Sequence, residues 1–353
     1  MSKIDQYLQA ALKQNDSDLH FVSGDPVRAR IHGELQILME EKLTIDTVQE
    51  AVLEIMDGTT QRTFEKEEAA DFAYEIPDVS RFRANVFRHL NGIGGIFRAI
   101  PSTALTLEQL DMPPVIYDLC KQTSGMILVT GKTGSGKSTT LAAMIDAINK
   151  SMKGHILTIE DPIEFVHKTK SCLISQREIG LHSGSFAEAL HSALREDPDV
   201  VLVGEMRDLE TISIAVTAAE MGILVLGTLH TNGAAQTVDR IINSFPADKQ
   251  SHIRTMISTS LRGVVSQQLL PTKHKAGRIA ALEVLINTTA VANLIRQGKL
   301  DQLETAMQSG GNMGMQTMDA ALMDLVEKAF VSGREAFKQA NQKSKFERFK
   351  NES

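Results

Sequence analysis

The segment Gly131-Lys-Thr-Gly-Ser-Gly136-Lys137-Ser138 constrains this chain more than any other part of it. It fills the pattern G-x-x-x-x-G-K-[ST], with the apolar run MILVT directly before it and STTLAAMIDAINK directly after. That context predicts a strand, a tight glycine loop and a helix in immediate succession. The glycines let backbone N–H groups turn inward around phosphate, and the start of the helix adds partial positive charge at the same place. Lys137 is then placed to reach the β- and γ-phosphates of a nucleotide, and the Ser138 hydroxyl to ligate Mg²⁺. Gly131, Lys132, Thr133, Gly134, Ser135, Gly136, Lys137, Ser138 and Thr139 are therefore the expected nucleotide-binding residues. ATP and Mg²⁺ are the expected ligands.

From Met126 onward the pattern is apolar strands followed by helices, as in a parallel sheet covered on both faces. Strands are expected at Met126–Thr130, Ile156–Ile159, Val200–Val203 and Ile223–Gly227. Their carboxyl ends carry acidic and imidazole groups, and strand ends are where sites gather in such sheets. The strand Val200–Val203 runs into Gly204-Glu205, so glycine stands where a magnesium-coordinating aspartate is usual. Glu205 is placed to orient or deprotonate an attacking water. Glu160-Asp161-Pro162-Ile163-Glu164 follows the second strand. It reads either as outer-shell magnesium ligands or as a bland Asp-Pro turn. His230, after ILVLGTL, reads either as a sensor of the γ-phosphate or as a structural histidine.

The first hundred residues have a different texture. Short strands are expected at Leu19–Val22, Val27–Ile31 and Glu34–Leu38, with turns at Gly24-Asp25-Pro26 and Gly33, and a helix at Thr47–Met56. Residues 80–88 alternate strictly, with Phe82, Ala84 and Val86 on one side and Arg81, Arg83 and Asn85 on the other. A turn over Asn91–Gly95 then leads to a partner strand, Gly95–Ile100, carrying Arg98. Spacing alone makes these arginines a solvated strand face. The expected organisation is a small α+β domain over 1–100, a linker over 101–114, a P-loop domain over 115–288, and a helical region over 289–353. That last region has a Gly/Met-rich break at Ser309–Met315 and a polar tail that frays from Lys338. The fold class is α/β.

Composition narrows the function classes. No apolar run approaches the roughly 20 residues that span a bilayer, and the N-terminus lacks the features of a signal peptide, so a cytoplasmic location is expected. Cys120 and Cys172 form no CxxC pair and so no zinc tetracysteine. A formal charge of −7 leaves no basic footprint for nucleic acid, which argues against the alternative of a nucleic-acid translocase on the same core.

Taken together, SDLHF, SRFRANVF with GIFRAIP, GKTGSGKSTTLAAMID, HILTIEDPIEF, SQREIG, SALREDPDVVLVGEMRDLETI, GTLHTN and GMQTMDAAL resemble the secretion ATPase superfamily, specifically its PilT-type retraction ATPases of type IV pili. The resemblance covers nearly the whole chain. It implies a homo-hexameric motor in which an N-terminal PAS-like domain packs on the RecA-like domain of its neighbour, leaving ATP at the subunit boundary. It further implies Glu205, Glu164, His230, Arg83 and Arg98 as catalytic residues and Ser138, Glu160 and Asp161 around the metal. For the arginines it reverses the reading from spacing. The implied place of work is the cytoplasmic face of the inner membrane, against a pilus platform protein and beside a paralogous retraction ATPase; an accessory PilU-like role is the alternative. Three segments depart from the family pattern. Lys132 replaces a proline, Glu220-Met221-Gly222-Ile223 stands for E-T-G-H, and residues 290–297 read AVANLIRQ where the family has AIRNLIRE.

Overall fold

The computed structural model describes residues 2–13, 18–31, 34–77, 79–100, 104–274 and 277–350. The chain divides into two compact units: Met1–Thr103 with Glu164–Val166, and Ala104–Ile163 with His167–Ser353. The turn expected at Gly33, the opening of the linker at 101–103 and the last three residues of the tail lie outside the described residues.

The first unit is built on one antiparallel sheet of β1 (Asp18–Val22), β2 (Pro26–Ile31), β3 (Glu34–Lys42), β4 (Ala69–Ile76), β5 (Ser80–His89) and β6 (Gly92–Ile100), in the order β3-β2-β1-β6-β5-β4. In β5, Phe82, Ala84 and Val86 are buried and Arg83 is exposed, because one face of a half-covered sheet meets the core and the other meets water. Helices Asp5–Lys13, Ile45–Glu54 and Gly58–Glu67 bring Leu8, Val48, Val52 and Phe64 onto Phe21, Phe82 and Phe97. Thr44 and Asp57 cap the second and third helices by accepting from backbone N–H groups in their first turns.

The glycine-rich turn expected over Asn91–Gly95 is corrected here. The reversal is confined to Leu90-Asn91, and Gly92 already belongs to β6. The glycines serve packing instead. A Cβ at Gly94 would sit 2.9 Å from the Phe87 ring, and one at Gly95 2.7 Å from the Phe97 ring.

The second unit holds a seven-stranded sheet of β7 (Gly125–Thr130), β8 (His155–Glu160), β9 (Leu173–Glu178), β10 (Val200–Val203), β11 (Leu224–Leu229), β12 (Leu261–Pro271) and β13 (Arg278–Ile286), ordered β13-β12-β7-β11-β10-β8-β9. Only the β12–β13 pair is antiparallel. Successive residues of β7 enter different cores: Met126 and Leu128 one, Ile127 and Val129 the other. A sheet buried on both faces reads as a continuous apolar run for this reason. Helices Pro114–Cys120 and Lys137–Ser151 line one core, while Leu209–Glu220, Ala234–Asn243 and Gln250–Ser260 line the other. The carboxyl ends of β7, β8, β10 and β11 lie level, with Val203 beside both Ile159 and Gly227, and Thr130 beside Leu229.

Helix Thr289–Gln297 and the segments after it pack into this same unit through Val291, Ile295, Leu303, Met307 and Met315. The frayed tail expected from Lys338 is also corrected. A 3₁₀ segment, Lys343–Phe349, buries Phe346 and Phe349 with Leu270, Leu322 and Val331. Residues three apart eclipse in a 3₁₀ turn, so the two rings share one face. That burial outweighs the polar composition around them.

Candidate functional site

The loop from Gly131 to Ser138 joins β7 to helix Lys137–Ser151. Gly131 and Gly136 take φ of 143° and 89°, backbone that side chains rarely adopt. At Gly131 space is also decisive, since a Cβ there would lie 2.4 Å from the Gln267 carbonyl of β12. Gly136 ends the loop as a helix N-cap without a side-chain hydrogen bond, so the first N–H groups of the helix face the loop uncapped. Such an end is an anion site by construction.

Within the loop, Lys137 is buried, and its Nζ donates to the carbonyls of Gly131 at 2.9 Å and Lys132 at 3.1 Å. Burial holds its pKa below the ordinary lysine value, partly offset by the negative charge of Glu205. Ser135 Oγ is buried and has no hydrogen-bond partner among the described residues. An orphaned hydroxyl inside a glycine loop fits a phosphate group, which supplies acceptor oxygens. Ser138 follows Lys137 on the exposed side of the first helical turn.

Glu205 lies just past β10 and is tied to both sides of the site. Arg207 Nη2 donates to its Oε2 at 2.6 Å, and His230 Nε2 stands 3.3 Å from its Oε1. His230 Nδ1 lies 3.4 Å from Thr133 Oγ1 in the phosphate loop. Arg207, Glu205, His230 and Thr133 thus form one continuous chain. Burial pushes the Glu205 carboxyl up. The Arg207 hydrogen bond and the charges of His230, Arg207 and Lys137 outweigh it and hold the carboxyl below its ordinary value.

Gly204 sits against β8, and a Cβ there would meet the Ile159 carbonyl oxygen at 3.0 Å and Glu160 Cα at 3.2 Å. A side chain at that point has little room, and Glu160 occupies the neighbouring strand end. Glu160 is buried and accepts from Thr158 Oγ1 at 2.7 Å and Gln176 Nε2 at 3.3 Å. Asp161 is exposed, and its charge helps raise the Arg207 guanidinium, whose first cause is the hydrogen bond to Glu205. Glu164 groups with the first unit. Among the described residues no three His, Cys, Asp or Glu side chains gather to hold a metal by themselves. The oxygen donors Ser138, Glu160 and Asp161 suit magnesium, which takes few protein ligands and relies on substrate phosphates.

Arg83 and Arg98 face each other directly across β5 and β6 in the first unit. Arg98 Nε donates to Asp18 Oδ1 at 2.6 Å, while Arg83 Nε lies 3.8 Å from Asp71 Oδ1.

Sequence reasoning missed the supports of this site. Gln267 presses its carbonyl toward Gly131 and accepts from Thr140 Oγ1 at 2.7 Å. Arg207 lies two residues from Glu205, where its charge was a legible signal. Ser266 and Glu283 hold the loop after His230 from β12 and β13, and nothing near them in sequence announces it. A surface cavity of about 250 Å³, lined by Leu107, Tyr117, Cys120, Ala143 and Lys150, flanks helix Lys137–Ser151 away from its phosphate-binding start.

The type II/IV secretion system protein family matches residues 1–339. The chain is 48% identical over 337 residues to the type IV pilus retraction ATPase PilT of Pseudomonas aeruginosa, covering 96% of this chain and 98% of that protein. It is 50% identical over 311 residues to a twitching motility protein of Neisseria gonorrhoeae, covering 88% of this chain and 83% of that one. Among solved structures it is similar to that of the pilus retraction motor PilT with bound ADP, at a TM-score of 0.92 and 41% identity, covering 99% of this chain and 100% of the other.

Proposed function

The chain belongs to the type II/IV secretion system protein family, and on that footing we propose that its site powers the retraction of type IV pili. It is an ATPase that converts hydrolysis of ATP into pilus withdrawal and twitching movement. Lys137 and the loop N–H groups bind the nucleotide phosphates, and Glu205 aligns and deprotonates the attacking water. His230, held between Glu205 and Thr133, registers the γ-phosphate. Magnesium, when bound, neutralises charge on the phosphate oxygens; Ser138 would ligate it, with Glu160 and Asp161 in its outer shell and Glu164 completing the acidic group. Six copies form a ring, in which Arg83 and Arg98 of the first unit reach the bound phosphate. The ring works at the cytoplasmic face of the inner membrane, with a platform protein as its load and a paralogous ATPase as a further partner.

The chain of polar contacts from Arg207 through Glu205 and His230 to Thr133 supports this reading most directly, because it links the water-activating carboxylate to the phosphate loop. Lys137→Ala is expected to weaken ATP binding. Glu205→Gln is expected to keep binding and abolish hydrolysis, since the carboxylate acts mainly in the transition state. Nucleotide titration beside steady-state phosphate release decides it, and normal turnover in Glu205→Gln rejects the assignment. In the cell, deleting the gene is expected to leave pili that accumulate without twitching. Unchanged piliation would make the protein an accessory motor, and loss of pili would make it an extension motor.

A further inference from the structure

Glu283 is a buried carboxylate on β13, far from the phosphate loop in sequence and with only 6% of its surface exposed. Its Oε1 accepts the N–H of Ala234 at 2.7 Å, and its Oε2 the N–H of Met318 at 3.2 Å. Both donors open helices, Ala234–Asn243 and Met318–Glu327. The first of these has glycine at its N-cap and no side-chain cap of its own. One carboxylate therefore caps two helices from across the sheet, and two helix N-termini favour its charge where burial opposes it.

The partner strand completes the grip. Ser266 stands opposite Glu283 in the β12–β13 ladder, and its Oγ accepts the N–H of Gly233 at 2.9 Å. Two successive N–H groups, of Gly233 and Ala234, are thus fixed by one cross-strand pair. Gly233 is three residues past His230. Between them Thr231 bonds the Thr237 hydroxyl at 2.7 Å, and Thr237 reaches back to Thr130, the residue before the phosphate loop, at 3.5 Å.

Resting on the function proposed above, we infer that Glu283 is a positioning residue for hydrolysis: it seats the loop that holds His230 against Glu205 and Thr133, and ties that seat to the start of helix Met318–Glu327. Glu283→Gln keeps the shape but turns one acceptor into a donor facing an N–H group. The expected result is a kcat lowered at least tenfold with ATP affinity within twofold of wild type. Combining Glu283→Gln with His230→Ala should be no worse than His230→Ala alone, because both changes remove the same contribution. Ser266→Ala, a milder loss of the same grip, should lower kcat severalfold and serves if Glu283→Gln fails to fold. Phosphate release and nucleotide titration on the full chain, with melting curves, read the four variants beside wild type. If His230→Ala is slow while Glu283→Gln and Ser266→Ala turn over normally, or if the losses multiply in the double variant, the inference is overturned and the proposed function stands. If His230→Ala itself is normal, the role given to His230 falls and this inference with it.

Discussion

Glu205 sits between opposing influences, and their balance sets the pH range in which it can act as a base. Burial favours its neutral form, whereas the Arg207 hydrogen bond and the charges of His230, Arg207 and Lys137 favour the ionised one. The net effect is a pKa below the ordinary carboxylate value, so the base is available above that depressed value and is lost only as pH falls through it. Arg207→Ala removes a hydrogen bond and a positive charge together. The Glu205 pKa then rises, and the acid limb of the kcat profile is expected to move to higher pH. A pH series of single-turnover hydrolysis checks this. An acid limb that stays in place would show that Glu205 is not the titrating base. The interaction is partly solvated, since the Arg207 side chain is 67% exposed, so the effect belongs to the rate profile more than to stability.

At the scale of elements, the β5–β6 hairpin places two arginines in a locally unfavourable arrangement. Arg83 and Arg98 are direct cross-strand partners, and like charges directly opposite each other destabilise a sheet. Asp18, in register with Arg98 on β1, offsets part of this through its 2.6 Å contact, and Asp71 flanks Arg83 more loosely. That unfavourable pairing on an exposed face accords with the catalytic role proposed for the two arginines. Arg83→Ala and Arg98→Ala are each expected to cut turnover at least tenfold, about 1.4 kcal/mol of transition-state stabilisation, without lowering the melting temperature. Arg→Lys changes should recover little, because an ammonium cannot reproduce the planar two-pronged contact. Arg88 is the control. It pairs with Glu68 and lies over the Phe64 ring at 5.2 Å, so Arg88→Ala should turn over normally and melt slightly lower. Normal activity in both Arg83→Ala and Arg98→Ala would return those residues to a solvated strand face.

For the whole molecule, the two-unit organisation carries a consequence for assembly. The phosphate loop belongs to one compact unit and the arginines to the other. A ring that supplies Arg83 and Arg98 to the nucleotide makes catalysis a property of the assembly, and such activity follows mass action. Specific ATPase activity is therefore expected to rise with protein concentration, in step with the hexamer population seen by light scattering. A monomer with full activity would exclude the ring mechanism. None of the helices among the described residues is long and apolar enough to cross a membrane.

The phosphate loop, four strands of the nucleotide unit and the arginine strand were legible in the sequence because each is encoded within a few consecutive residues. Glycine spacing, an unbroken apolar run and a period-two alternation are local signals, and they lead to Gly131–Ser138, β7, β8, β10, β11 and β5. The places of Glu205 and His230 just past strand ends were legible for the same reason, as polar residues that follow such runs. Only the tertiary structure decided what holds these parts in place. β12 and β13 bring Gln267 to Gly131, Ser266 to Gly233 and Glu283 to Ala234, contacts that span 136, 33 and 49 residues. The same holds where local reading went astray, at glycines that make room for Phe87 and Phe97 and at a polar tail anchored by Phe346. Composition reports what a segment prefers alone, whereas packing against distant side chains decides where it ends up.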